Sequence, residues 1–267
     1  MAAGKWLIVL GLLGMLAGVL AFDLVFPSLA DWGIRSFPQS ITAPLVLDIS
    51  YGHLATAFGV LVLLMVAVAD RLDPGKRLDP EPDQKEPLWR REWGFGLAGA
   101  SAGLIILASS AQGQYFGLSG SYAALTAHIA DWFGFSLESV PTLNETTAWR
   151  AASAAGLFPG AAASALMSKS FGNVPVTPLW AAAHPSGVKS RGPIVFVGGF
   201  MVLFGALIGG GCTTGAFMAA WPTLSVGSFA MGATFFGTGM ATATLLYWGK
   251  WGLLSEVRSR GLSLATD

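Results

Sequence analysis

The sequence predicts an all-α fold: a polytopic transmembrane bundle of about six spans with re-entrant half-helices. Three observations lead there. Hydrophobic residues make up 53% of the 267 positions and charged residues only 11%, and the mean hydropathy is +0.60. Several apolar runs reach the length that roughly 30 Å of hydrocarbon requires. The 35 glycines are too many for an ordinary soluble helical domain, whereas glycine is at home where membrane helices pack closely. The same composition excludes other classes. Fifteen basic and fifteen acidic residues cancel, so a nucleic-acid partner has no electrostatic support. A single cysteine excludes an intrachain disulfide framework and any all-cysteine metal site. Three scattered histidines make no metal constellation. No nucleotide loop or Ser-His-Asp spacing points to an enzyme, and nothing calls for a cofactor.

Residues 1–70 read as an amino-terminal two-span segment. Its first span is expected over about Trp6–Phe26. Lys5 before it resembles the start of a secretory signal, but no small-x-small cleavage site follows, so the run reads as a retained anchor. Residues 27–50 carry three prolines and Trp32 with few positive charges, which suits an extracytoplasmic loop with a short interfacial helix. The second span is about Tyr51–Ala69. Residues 71–92 are hydrophilic and hold Arg71, Lys76, Arg77, Lys85, Arg90 and Arg91. Orientation follows Lys and Arg rather than net charge, so this loop belongs in the cytoplasm. Pro74, Pro80, Pro82 and Pro87 make it irregular.

Residues 93–248 form the main transmembrane domain. A third span covers about Trp93–Ala111. The next apolar piece, Tyr115–Phe135, contains Gly117, Gly120, Gly134, His128 and Asp131, which fits a half-helix dipping into protein better than a lipid-facing span. Residues 136–147 carry two glutamates and no Lys or Arg, which suits the outside. A span over about Ala148–Met167 emerges at Lys169. The Pro-rich loop 168–192, with Lys189 and Arg191, is again cytoplasmic. A broken apolar segment, 193–222, follows. The last span, about Val226–Trp248, ends at Lys250, Arg258 and Arg260, and 249–267 is a cytoplasmic tail. Both termini therefore lie inside, in a bacterial inner membrane.

The most informative stretch runs from Gly198 to Gly215. It begins as an apolar helix, breaks at Gly209-Gly210-Gly211, and presents Cys212, Thr213, Thr214 and Gly215. Backbone groups freed by a break within apolar sequence persist only where protein buries them or a cavity satisfies them. Phe116-Gly117-Leu118-Ser119-Gly120-Ser121 is a similar Gly/hydroxyl break. Paired interrupted helices point to a transport site, and their amino ends favour an anion. The two breaks should therefore face one another in the membrane interior. The candidate path residues are Cys212, Thr213, Thr214, Gly210, Gly211, Gly215, Ser119 and Ser121. Each has a plainer reading beside it. Cys212 can be a small packing residue, and the hydroxyls can cap the helices that follow them. His128 and Asp131 share a helix face, as an interfacial pair or a proton relay. His53 reads as interfacial, and His184 as solvated in its loop.

These landmarks resemble the YeeE/YedE family of sulfur-compound membrane transporters over about residues 93–248. Gly117-Leu118-Ser119-Gly120-Ser121-Tyr122-Ala123 resembles its mid-chain break, and Gly198-Gly199-Phe200 to Gly205 its glycine-striped helix. Gly210-Gly211-Cys212-Thr213-Thr214-Gly215 resembles its signature. Leu224-Ser225-Val226-Gly227-Ser228, with Phe235-Phe236-Gly237-Thr238-Gly239, resembles its closing helix. The resemblance implies half-helices meeting near mid-membrane, thiosulfate or a related sulfur species as solute, a path lined by cysteines, and a TusA-like cytoplasmic sulfur carrier as acceptor. Of the family cysteines only Cys212 has a counterpart here. The amino-terminal Phe-Cys element is missing, which marks that part as degenerate, and Ala216 and Phe217 replace His-Gly. A relay through several thiols of one chain is thereby excluded. The sequence thus predicts membrane transport of a small sulfur anion. The alternative is a non-transporting accessory subunit of a larger membrane complex with other membrane subunits. A sulfurtransferase reading of Cys212 lacks a base or a second thiol.

Overall fold

The structure, a computed structural model, describes residues 7–31, 41–72, 95–113, 116–169, 171, 180, 184 and 187–249. The expected cytoplasmic loop beyond Leu72, most of the loop before Gly187 and the tail from Lys250 lie outside these residues. Among those described, the chain is helical and holds no strand. The elements are α1 (Ile8–Asp31), the short α2 (Ala43–Leu47), α3 (Tyr51–Leu72), α4 (Phe95–Ala111), α5 (Leu118–Trp132), α6 (Glu145–Met167), α7 (Gly187–Ile208) and α8 (Val226–Leu246). A π-helical segment, Thr213–Ala219, and a single 3-10 turn, Trp221–Thr223, join α7 to α8.

Length sorts these helices. Among the described residues, four are long and apolar enough to cross a membrane: α1, α3, α7 and α8. The apolar α4 has 17 residues, and α6 has 23. Four helices of spanning length, with the shorter apolar α4, fit a helical membrane bundle where about six spans were expected. At 1.5 Å per residue, the 15 residues of α5 reach only about 22 Å, short of the hydrocarbon thickness. The 22 residues of α7 reach about 33 Å before the break. The segment before the glycine run is thus a full-length helix, and the short pieces are α5 and the π segment.

α1 and α7 form the largest helix pair, and glycine makes it possible. A Cβ on Gly14 would stand 2.1 Å from the Phe196 carbonyl oxygen, and one on Gly18 would stand 2.7 Å from that of Phe200. A Cβ on Gly199 would stand 2.1 Å from the Gly11 carbonyl oxygen. Backbone here lies directly on backbone, the arrangement small residues permit between membrane helices. Gly198 and Gly205, by contrast, meet nothing within 4 Å. Contacts advance in the same direction along both helices, so α1 and α7 run parallel. That register brings Gly209–Gly211 about level with Val25–Pro27, near the Asp31 end of α1 rather than its middle.

α1 also continues through Pro27, where the sequence reading placed a loop. Proline lacks the N–H that would bond the carbonyl four residues back. That carbonyl belongs to Asp23, and the Ser139 hydroxyl donates to it at 3.4 Å. The Ser139 N–H donates to the Asp23 carboxylate at 2.6 Å. The loop after α5 thus satisfies the group that proline frees. Val19, Phe22, Ala123, Val140 and Leu203 make the buried core at this level, joining α1, α5, that loop and α7.

Around the π segment, Phe217 stacks edge-on against Trp221 at 4.3 Å, and Phe58 brings α3 to Phe229 at 5.3 Å. Tyr51 Oη donates to the Pro222 carbonyl at 2.7 Å. Ala43 N–H donates to the Leu224 carbonyl and Val226 N–H to that of Ile41. The expected interfacial helix, α2, is therefore tied to the α8 amino end. His184 departs from expectation: its ring stacks on Trp180 at 4.1 Å, and its Nδ1 is buried. Aromatic stacking outweighs solvation there.

The α1–α7 contact predicts unequal responses to one methyl group. Gly14→Ala forces a hard contact, and overpacking of this kind costs about 1–3 kcal/mol. Gly59→Ala meets nothing within 4 Å, and alanine favours a helix interior by about 0.5–1 kcal/mol. Thermal unfolding in mild detergent should show a lowered midpoint for Gly14→Ala and an unchanged or raised one for Gly59→Ala. Equal midpoints contradict the packing described.

Candidate functional site

The second break is built by a helix stop. Gly210 has φ +76°, a left-handed conformation that glycine adopts without steric penalty. Gly210 N–H donates to the Leu207 carbonyl at 3.3 Å and Gly211 N–H to the Ala206 carbonyl at 2.8 Å. This is a Schellman ending. Gly211 then passes close to the π segment: a Cβ there would stand 3.1 Å from the Ala216 Cβ. Cys212 is extended, with φ −99° and ψ −175°, and precedes the π segment.

The first break faces this one. Gly117 is extended and caps α5 without a side-chain bond of its own. The cap comes from across the gap: Leu118 N–H donates to Thr214 Oγ1 at 3.1 Å. Cys212 Sγ lies 2.9 Å from the same Oγ1, where either group can donate. The thiol also lies close to Ser119 and to the Gly215 backbone. The sequence reading allowed Thr214 to cap the segment after its own break; it instead caps the opposite helix.

Between the breaks lies a cavity of about 180 Å³. Gly117, Ser119 and Gly120 line it from the α5 side, Ala206 and Leu207 from α7, and Gly210, Gly211 and Gly215 from the second break. Arg150 lines it from α6. At roughly 30 Å³ per water, the space suits about six waters or a small ion with part of its hydration shell. It is smaller than the roughly 300–1,000 Å³ of ordinary organic-ligand pockets. Among the described residues no cluster of metal-ligating side chains occurs.

A family described as sulphur transport matches residues 1–242. The chain belongs to that sulphur-transport family. The match extends the resemblance seen over 93–248 through the amino-terminal segment. Comparisons with curated proteins and with solved structures give no match. Family and apolar helices together make this sulphur-transport protein a multi-pass membrane protein.

The expected path residues divide into two groups. Gly210, Gly211, Gly215 and Ser119 reach the cavity wall. Cys212 and Thr214 stand behind it, bonded to each other and to the α5 amino end. Thr213 is exposed, and Ser121 is buried with its hydroxyl donating to the Gly117 carbonyl at 3.0 Å. His128 and Asp131 are both exposed away from this site, and the His128 ring lies edge-on to Trp132 at 5.2 Å. Arg150 was passed over in the sequence. Its signal was available: a lone cation inside an otherwise apolar run. α6 also begins earlier than expected. Asn144 and Thr147 cap it reciprocally, with Thr147 N–H to Asn144 Oδ1 at 2.9 Å and Asn144 N–H to Thr147 Oγ1 at 2.7 Å. That start places Arg150 within the helix.

The cross-cap gives a prediction. Thr214→Val keeps shape but leaves Leu118 N–H and the Cys212 thiol without that oxygen. Loss of a helix cap costs about 1 kcal/mol, and Thr214→Ser should preserve most of it. Thermal unfolding should rank wild type and Thr214→Ser together above Thr214→Val. A Thr214→Val protein as stable as wild type removes the cross-cap from the account.

Proposed function

We propose that this protein carries a small inorganic sulfur anion, such as thiosulfate, across the bacterial inner membrane through the cavity between its two breaks. The observation that carries the reading is the meeting of two Gly/hydroxyl breaks around one small cavity in a chain of the sulphur-transport family. An anion leaving water must find replacement donors. The α5 amino end supplies backbone N–H groups and a positive dipole, and Ser119 supplies a hydroxyl. The soft, polarizable Cys212 thiol lies close behind Ser119, bonded to Thr214. Thr213, Thr214, Ser121 and the glycines 210, 211 and 215 complete the path, with α5 as a re-entrant half-helix. The loop 71–92 and both termini face the cytoplasm, where a TusA-like carrier accepts the sulfur species.

A second reading keeps the scaffold and drops the transport: an accessory subunit of a larger membrane complex. Two observations favour it. The apolar window of α3 has no residue buried within the chain, leaving its surface to lipid or to other subunits. Cys212 is also the only thiol. Mild solubilisation separates the readings, because a stable stoichiometric complex that takes up no thiosulfate supports the accessory role.

Cys212→Ser tests the thiol. Serine can keep the bond to Thr214, so membrane abundance should stay near wild type. Uptake of labelled thiosulfate should fall by roughly tenfold or more, the scale of one contact worth about 1.4 kcal/mol. Uptake equal to wild type removes the thiol from the path. For topology, Lys85→Cys in a Cys212→Ala background should resist an impermeant thiol reagent in intact cells and react after permeabilisation. Labelling from outside contradicts the orientation.

A further inference from the structure

We infer that α5, the loop after it and α6 move as one hairpin against the α1–α7 pair, and that Asp23 is the positioning residue that latches this hairpin shut over the cavity. The inference rests on the reading of the cavity as the solute site and adds how that site opens. The packing divides these helices into two bodies. α1 packs chiefly on α7, and α5 chiefly on α6. The first body is stiff, because glycines set its two backbones directly on each other. The second is a helical hairpin. The reciprocal Asn144–Thr147 cap fixes the start of α6, and the Trp149 ring meets Phe116 edge-on at 6.4 Å, beside the start of α5. Contact between the two bodies is sparse. Packed bodies joined in this way swing or slide more readily than either unfolds.

The cavity lies along the seam between them. One wall belongs to the hairpin, with Ser119 and Arg150, and the facing wall to α7 and the second break, with Leu207 and Gly211. Parting the seam is therefore the motion that opens this space. Hydrogen bonds cross it. Leu118 N–H reaches Thr214 at the α5 amino end. In the loop, Ser139 gives its N–H to the Asp23 carboxylate and its hydroxyl to the Asp23 carbonyl, the group that Pro27 leaves without a helical donor. By the α1–α7 register, Asp23 stands about level with Leu207, so this latch lies beside the wall it closes. Leu207 packs against the buried cluster that holds Phe22 and Val140, the chain neighbours of Asp23 and Ser139. Apart from Asp31 at the carboxyl end, Asp23 is the only charged residue of α1. A carboxylate set in an apolar span is costly and calls for a partner within the protein. Its partner here is a loop N–H, which it meets only while the loop is seated. Such a bond favours the shut state by its own strength and no more, so the seam can still part.

Cys212 reports this motion without any solute. It is the only thiol, it is half-buried, and it lies close to Ser119 across the seam, so parting the bodies uncovers it. In native membranes, N-ethylmaleimide should alkylate Cys212 roughly tenfold to a hundredfold faster in Asp23→Ala than in wild type, the scale of a hydrogen bond to a charged group. Asp23→Asn keeps an acceptor oxygen and should react at close to the wild-type rate. The rates are compared well below the thermal midpoint of each protein, and uptake of labelled thiosulfate is measured in the same membranes. Hydrogen exchange of the wild type decides the matter even where Asp23→Ala fails to accumulate. Residues 136–140 should be protected relative to an unfolded chain, yet exchange before α1 and α7. Equal alkylation of wild type and Asp23→Ala overturns the inference, as does Asp23→Asn reacting as fast as Asp23→Ala. Protection at 136–140 that is absent, or equal to that of α1 and α7, also overturns it. Faster alkylation of Asp23→Ala without wild-type uptake upholds the latch and overturns transport. Wild-type uptake with equal alkylation rates does the reverse.

Discussion

The α1–α7 contact is the constraint on which the rest of the site depends. Gly11, Gly14 and Gly18 let α1 lie against the α7 backbone, and Gly199 lets α7 lie against α1. In lipid, no hydrophobic force drives two apolar helices together, so close backbone contact and dispersion must do it. The parallel register that results is fixed by shape. It sets the depth at which α7 ends, and therefore where Gly210 turns and where Cys212 begins the π segment. The Asp23–Ser139 bonds then hold the loop after α5 to the same helix. α5 is thereby placed with its amino end against the second break.

Two helix ends that meet in apolar surroundings have a shared problem of unmatched backbone groups. The second break resolves its own carbonyls through the Schellman turn at Gly210. The first break borrows a side chain, because Gly117 has none to offer: Thr214 accepts from Leu118 N–H. Binding and stability are therefore coupled here. The groups that hold the breaks together are neighbours of those that line the cavity: Leu118 carries the cross-cap, and Ser119 beside it lines the wall.

Much of this was legible in the sequence. Hydropathy gave the helical membrane class and the four long apolar helices, and two Gly/hydroxyl runs marked the breaks that meet. Three things were not legible, each for a physical reason. Pro27 usually ends a helix, and only a tertiary donor, Ser139, lets α1 continue. The glycines that matter most for packing, Gly11, Gly14 and Gly18, look no different in sequence from Gly198 and Gly205, which meet nothing; a glycine's partner is a property of the fold. Arg150 is different: a lone cation in an apolar run was a visible signal, and the packing of α6 adds only that it reaches the cavity. Cys212, the most conspicuous residue of the chain, stands behind the wall because the π segment carries its thiol toward Thr214 and Ser119.

The central claim is that the two breaks meet, and one cross-link measures it. Cys212 is the only cysteine of the chain, so Ser119→Cys creates a single thiol pair. Leu118 N–H bonds the Thr214 hydroxyl that the Cys212 thiol also meets, so a cysteine at 119, one residue on, is brought next to the only native thiol. Mild oxidation in native membranes should join the two cysteines within one chain. The readout is loss of alkylation at both thiols, restored by reduction, with the protein still migrating as a monomer. Two thiols that remain open to alkylation after oxidation would contradict the account.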